Sequence, residues 1–396
     1  MNATDRLPII LIVSCALVGG YGGMFLSFHH GFFDALRICV SASLEDRGNC
    51  VLNVPDAAFI PSYTKVPAID SRLAILFEFF AQGLTSRGDD DGLDYEAILA
   101  MGYLAAQFGG AWYLLALEGL RKSSSGTVLT RTGIFGIVFQ VVTITIIAPI
   151  YLVIHIISAQ APDQNAIIVD LLDLKLLPTT FVMAYVLPTA GLLLPLLGIV
   201  SPAGKYLAIA LWQPFPLYQS AIHEVLRSLL RGKSDRAANI NAQNSSQYRK
   251  ALGKAYTSIL WLTMGIHILV VGIIAMSHWT RLPLQLSATE ILAPSSLTRP
   301  PTLAVLSPPV SALSSQTIVA SFLRWDVYCS CAALIVWSAY LVHRAQIGVS
   351  ILGAIIQIVL WTVVGGPITP AVMLLWQRDV AILDRAQRSS AYVKRR

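Results

Sequence analysis

Six stretches of this 396-residue chain contain no Asp, Glu, Lys or Arg: residues 7–28, 97–117, 132–162, 176–204, 255–280 and 345–377. A helix rises about 1.5 Å per residue and needs roughly 20 apolar residues to cross the hydrocarbon core of a bilayer. Every one of these runs is long enough. Charged residues make up only 13% of the chain, about half the share usual in soluble domains. The expected fold class is therefore all-α, a polytopic transmembrane helical bundle.

Shorter apolar segments fill the gaps. Residues 73–86 are interrupted by Glu78, and residues 319–342 by Arg324 and Asp326. Residues 206–222 hold Trp212-Gln213-Pro214-Phe215-Pro216, whose prolines disfavour a straight span. Setting that segment in the interface leaves about eight spans in one membrane-embedded helical domain over 1–396. The loops are 29–69 and 278–318, the latter rich in Pro and Ser, and a basic loop 223–254. The first run is too long for a signal-peptide core and reads as a retained span. The last run is expected to bend back at Gly365-Gly366-Pro367.

The net charge of +6 does not point to nucleic acid. The basic residues gather in 227–254 and at Lys394-Arg395-Arg396, as cytosolic loops beside a membrane do. By the same bias the loop with Arg121, Lys122 and Arg131 is cytosolic, and the acidic loops 87–96 and 163–175 are lumenal. The sequon Asn2-Ala3-Thr4 agrees with a lumenal N-terminus, and an endoplasmic-reticulum membrane is the expected location. Cys39 and Cys50 share a loop and could pair there or remain thiols. The seven histidines are scattered, with no HxxxH array, and no P-loop, GxSxG or dinucleotide fingerprint is present.

Ionisable groups inside spans cost several kcal/mol and usually face a partner or a cavity. Three carboxylates qualify as catalytic candidates: Glu78, Glu118 and Asp326. Glu118 can pair with Arg121 at i+3, and Asp326 can pair with Arg324 or cap a helix. Glu78 has no cation within helix reach and is flanked by Phe77, Phe79 and Phe80. Desolvation disfavours the charged form of a carboxyl, and a neutral acid in apolar surroundings can protonate a basic oxygen or an alkene. The span-end aromatics Trp112, Tyr113, Trp261, Trp325, Tyr328, Trp337 and Trp361 could stabilise the resulting cation at about 0.5–2 kcal/mol each. They could equally be interface anchors.

With these residues the chain resembles the fungal integral-membrane terpene and meroterpenoid cyclases, above all the longer, roughly eight-span members of ascochlorin- and ascofuranone-type pathways. The likeness lies in PSYTKVPAIDSRLAILFEFF (61–80), AWYLLALEGLRK (111–122), FLRWDVYCS (322–330) and GGPITPAVMLLWQRD (365–379). It implies acid-initiated, non-oxidative cyclisation of a lipophilic, prenylated substrate, expected to be an epoxidised farnesyl type. No metal or redox cofactor is implied, and other enzymes of the same pathway are implied as partners. Carried over, Glu78, Glu118 and Asp326 are the candidate acids and Arg121 and Arg324 their orienting partners. Phe77, Trp112, Tyr113, Trp325, Tyr328 and Trp337 are the candidate substrate contacts.

Two readings compete. Asp90, Asp91 and Asp94 spell DDxxD, and Asp170 and Asp173 offer a second acidic pair, as a magnesium-dependent intramembrane prenyltransferase or class I cyclase would need. Gly88 and Gly92 bracket the first run, which favours a turn over the helical turn that would align its carboxylates. Buried carboxylates and broken helices also suit a small-molecule transporter, although no internal repeat is evident.

Overall fold

The computed structural model describes residues 3–29, 31–41, 63–84, 95–158, 167–231, 242–280 and 315–393. Among them the structure is helical, and the one extended pairing is an isolated bridge between Arg121 and Val169. The chain runs α1 (Ala3–Gly19), a π-helical stretch (Gly20–Phe25), α2 (Leu26–His29), α3 (Phe32–Ser41), α4 (Pro67–Gly83) and α5 (Tyr95–Gly119). Then come α6 (Thr132–Val142), α7 (Ile144–Ser158), α8 (Leu171–Phe181), α9 (Leu187–Leu193), α10 (Pro202–Trp212) and α11 (Phe215–Leu230). The long α12 (Ala242–Thr280) and α13 (Ser315–Arg344) precede α14 (Ile351–Gly365) and α15 (Thr369–Val393).

Five helical stretches are long and apolar enough to cross a membrane: Arg6–His29, Ile98–Gly119, Leu171–Leu193, Ser246–Met276 and Ile318–Arg344. The described residues therefore carry five helices of spanning length where the sequence suggests about eight spans. α13 lies at the centre, packed by α1, α4, α5, α7 and α15. α14 faces outward, with Ile351, Leu352, Ile355, Val359 and Val363 all exposed. An apolar helix face left open in this way suits contact with lipid rather than water.

Several expected boundaries shift. The stretch 29–69 contains α3, and α4 begins at Pro67, which supplies a helix start at its first turn. The basic stretch 223–254 is helical at both ends, because charged and polar residues outside an apolar core still favour helix. Of 278–318, residues 281–314 lie outside the described ones, as do Cys50 and the Asp90, Asp91 and Asp94 run. The last apolar run does break: α14 ends at Gly365, Gly366 takes φ +89°, and α15 packs back on α14. The prolines of 206–222 likewise separate α10 from α11.

One break is absent from any sequence signal. Residues 132–162 look like a single span, yet α6 and α7 part at Thr143, which takes φ +108°. A β-branched residue in that region is strained and persists only where its surroundings hold it.

Candidate functional site

Below the α6–α7 break lies an apolar cavity of about 290 Å³. Its aromatic wall is continuous. Phe322 of α13 meets Phe79 of α4 edge-on at 5.0 Å, and Phe80 meets Trp212 of α10 at 5.4 Å. Trp212 reaches Phe108 of α5 at 6.2 Å, and Phe108 meets Phe139 of α6 at 5.5 Å. Phe33 of α3 meets Phe322 at 6.2 Å and ends the series on that side. Six helices thus contribute to one pocket through residues far apart in sequence.

Asp326 is the one carboxyl that lines this cavity among the described residues. Its Oδ1 accepts a hydrogen bond from the Thr145 backbone N–H at 2.9 Å, at the start of α7. A helix N-terminus presents free N–H groups and a partial positive charge, so it holds a carboxylate oxygen without a cation. No Lys or Arg among the described residues lies within ion-pair distance of Asp326, and the expected pairing with Arg324 does not form. Gln140, one turn before the break, also lines the cavity; its buried Nε2 has no hydrogen-bond partner among the described residues. Sequence reasoning passed over Gln140, although a lone amide inside an uncharged run is a detectable signal.

Glu118 sits elsewhere, fully buried in a clasp of four charges. Its Oε1 meets Arg121 Nε at 2.7 Å and Arg378 Nη2 at 2.8 Å. Asp379 accepts from Arg121 Nη2 at 2.7 Å and from Arg378 Nε at 2.9 Å, and the Tyr256 hydroxyl donates to it at 2.7 Å. His155 lies 3.5 Å from Glu118 Oε2, and its Nδ1 accepts from Trp337 Nε1 at 3.2 Å. Two acids against two guanidiniums balance. Arg121 Nη1 also donates to the Ile167 carbonyl at 2.5 Å, pinning the 167–169 segment to the end of α5. Asp379 and Arg378 were outside the sequence-based candidates, though they stand in the passage GGPITPAVMLLWQRD.

Glu78 is also fully buried, and it has partners across the fold. Gln82 Nε2 donates to it at 2.6 Å and the Tyr206 hydroxyl of α10 at 2.7 Å. It lies on the side of α4 away from the Phe79 and Phe80 wall. Nearby, burial first and the Glu78 charge second push the phenol of Tyr63 up to about 12, so that hydroxyl keeps its proton at ordinary pH.

None of the expected substrate contacts lines the cavity. Phe77 packs edge-on against Tyr63 at 4.5 Å. Trp112 donates to Gln219 at 2.5 Å, and the Tyr113 hydroxyl to the Ala255 carbonyl at 2.9 Å. Trp325 packs on Gly22 of the π-helical stretch, where an added Cβ would stand 2.5 Å from the indole. Tyr328, half-buried, follows Trp325 along α13 outside the wall; Trp337 joins His155; Arg121 joins the clasp. Of the competing acidic pair, Asp170 caps α8 and meets Arg231 at 3.2 Å, while Asp173 meets Arg227 at 3.0 Å and His223 at 3.3 Å. Both are occupied by protein cations.

The four passages singled out in the sequence come together in two places. Residues 61–80 and 322–330 meet at the aromatic cavity, and 111–122 and 365–379 meet at the charged clasp. A family model, the CtvD domain, matches residues 10–383 and so covers both centres. The chain belongs to the CtvD-domain family. It is 27% identical to the terpene cyclase ascI of Acremonium egyptiacum over 329 residues, 80% of this chain and 79% of that one. It is 25% identical to the terpene cyclase atmA of Aspergillus flavus over 365 residues, 90% of this chain and 92% of the relative. The terpene cyclase penA of Penicillium crustosum is 24% identical over 379 residues, 93% of this chain and 94% of that one. No solved structure matches the chain. The CtvD-domain match and these names agree with the resemblance to fungal terpene cyclases.

Proposed function

We propose that this CtvD-domain protein is a terpene cyclase of fungal secondary metabolism, and that Asp326 protonates the terminal epoxide of a farnesyl-type chain held in the aromatic cavity. The observation that carries the assignment is that Asp326 is the carboxyl facing that cavity among the described residues. Proton transfer to the epoxide oxygen opens the carbon–oxygen bond and leaves a tertiary carbocation. Alkene π-electrons close each ring in turn, and loss of a proton or capture by a hydroxyl ends the cascade. The product is an isomer of the substrate, so no oxidant is consumed.

The surroundings of Asp326 support this chemistry. The α7 N-terminus orients the carboxyl and stabilises the carboxylate left after proton transfer, which general acid catalysis requires. Phe and Trp faces stabilise a passing cation without quenching it, as lone-pair donors would. Gln140 Nε2, without a hydrogen-bond partner among the described residues, is the donor that would hold the epoxide oxygen. Glu118 and Glu78, the other candidate acids, are engaged with arginines or with Tyr206 and Gln82.

The membrane setting belongs to the same reading. Counting α4, the α6–α7 unit and α14 beside the five long helices gives eight spans, with α6–α7 crossing as a broken helix whose gap is filled by Asp326. Non-helical backbone at membrane depth is tolerated where protein covers it or where it lines a cavity. An endoplasmic-reticulum location would place the site among lipophilic substrates and the enzymes that make them.

Microsomes bearing the protein, supplied with an epoxidised farnesyl-phenol or with farnesyl diphosphate, each with magnesium and with EDTA, test the proposal. Cyclised product from the epoxide that survives EDTA is expected. Product from the diphosphate alone, lost with EDTA, would move the chemistry to the Asp90, Asp91 and Asp94 run and overturn it.

A further inference from the structure

Thr143 carries two penalties at one position of the cavity wall. It is a β-branched residue at φ +108°, where glycine is the residue that fits without strain. It lines the cavity with Asp326, yet its hydroxyl oxygen is buried and has no hydrogen-bond partner among the described residues. Burying a hydroxyl unpaired is unfavourable, and backbone strain of this kind gathers at sites that use it. Glycine here would remove both penalties, so what the threonine offers lies in what its hydroxyl can reach.

The backbone around Thr143 is engaged on both sides. Its N–H donates to the Phe139 carbonyl at 2.9 Å and closes α6. Its carbonyl accepts from the Ile147 N–H at 3.2 Å and opens α7. Thr143 therefore stands at the N-cap of α7, where a threonine side chain ordinarily accepts the N–H of the second or third helical residue. Here the second N–H, that of Thr145, goes to Asp326 Oδ1 at 2.9 Å instead. A carboxyl from α13 caps α7, and the hydroxyl that the position provides is displaced from that task. It stands next to the Asp326 carboxyl, near enough to act on its charge but without an aligned hydrogen bond.

We propose that Thr143 is a positioning residue for Asp326, and that the strained break between α6 and α7 serves to bring its hydroxyl to that carboxyl. A hydroxyl both accepts and donates. With Oδ1 held by Thr145, the acidic proton of Asp326 sits on Oδ2. A small rotation of the carboxyl lets this O–H donate to Thr143 Oγ1 while the cavity is empty. When a ligand oxygen takes the proton, the Thr143 hydroxyl turns and donates to the carboxylate, and a hydrogen bond to an ionised group is the stronger kind. Thr143 keeps its own proton throughout. The inference rests on the reading of Asp326 as the acid and adds the residue that aims it.

The test uses the full-length protein in phosphatidylcholine nanodiscs, with Thr143→Val, Thr143→Ser and Thr143→Gly. Valine keeps the shape and removes the hydroxyl; serine keeps the hydroxyl. The infrared C=O band of the protonated Asp326 carboxyl is identified by its absence from Asp326→Asn. That band should move to higher frequency in Thr143→Val and stay in place in Thr143→Ser. With an epoxidised farnesyl-phenol, kcat of Thr143→Val should fall about tenfold at unchanged KM, the effect of one hydrogen bond to a charged group. Thr143→Ser should keep most of the rate. Thr143→Gly should melt above the wild type and still be as slow as Thr143→Val. Added to Asp326→Asn, Thr143→Val should slow turnover no further, because the two residues act as a unit.

An unshifted band, or Thr143→Val at full speed, would overturn the proposal. So would a loss confined to KM, a Thr143→Ser as slow as Thr143→Val, or a valine effect that persists in full on Asp326→Asn. Thr143→Gly melting below the wild type would make the threonine structural and overturn it too. Normal turnover by Asp326→Asn would fail the acid and this proposal together, whereas an inactive Asp326→Asn beside a normal Thr143→Val fails the proposal alone. The expected band shift without any turnover of the epoxide leaves the Thr143 contact standing and fails the cyclase reading alone.

Discussion

Asp326 of α13 accepts a hydrogen bond from the backbone N–H of Thr145, 181 residues earlier in the chain, at 2.9 Å. That contact joins two features with no visible relation in the sequence. The break between α6 and α7, with Thr143 at φ +108°, exposes the N-terminus that holds the carboxyl, and the carboxyl occupies the break. Backbone strain and a buried acid support one another at the edge of the aromatic cavity.

Asp326→Asn keeps the side chain's shape and removes the acid. Turnover of an epoxidised substrate should fall by about 10²–10⁴, the range attributed to a positioned general acid. Affinity for the unreacted substrate should persist. Product assay beside equilibrium binding checks both, and a variant with near-normal turnover would remove Asp326 from the role.

Glu118→Gln should act on stability. It leaves Arg121 and Arg378 with Asp379 as their one carboxylate in a fully buried cluster. Breaking a buried ion pair from one side costs about 3–5 kcal/mol, so the variant should express poorly and melt at a lower temperature in detergent. A Glu118→Gln protein that melts like the wild type yet makes no product would instead place Glu118 in catalysis.

Glu78→Gln should be nearly silent for turnover. The amide oxygen can still accept from Tyr206, and loss of one charged hydrogen bond costs on the order of 1–3 kcal/mol. Full loss of product from a protein that is well folded by thermal melting would restore Glu78 as the acid.

Phe322→Ala should change what is made. Phe322 touches both Phe33 and Phe79 across the wall, and its removal opens space beside the chain. The expected result is a mixture with early-quenched, less cyclised products by mass spectrometry, at a stability cost of about 3–5 kcal/mol.

Gly22→Val should disturb the packing of the π-helical stretch on α13. An added Cβ already stands 2.5 Å from Trp325, so the indole must move. A destabilisation of about 1–3 kcal/mol is expected, readable as a lower melting temperature with the cavity's ligand affinity little changed.

The uncharged runs, the paucity of charge and the glycine–proline punctuation determined the helical class, most of the long helices and the bend at Gly366, because these are local properties of hydrophobicity and backbone freedom. The sequence also supplied Glu118, Arg121 and Asp326 as residues out of place in spans. It could not rank them, since a carboxyl's role depends on what faces it. Tertiary packing decided that Glu118 meets Arg378 from 260 residues away while Asp326 meets an apolar cavity. It also decided that the cavity wall is built of Phe33, Phe79, Phe108, Phe139 and Phe322 rather than the span-end tryptophans. Side chains on one helix look alike in composition whichever way they face, and the facing is set by helix–helix contacts over hundreds of residues. Neither the break at Thr143 nor its use by Asp326 has a local cause, and both arise where three helices meet.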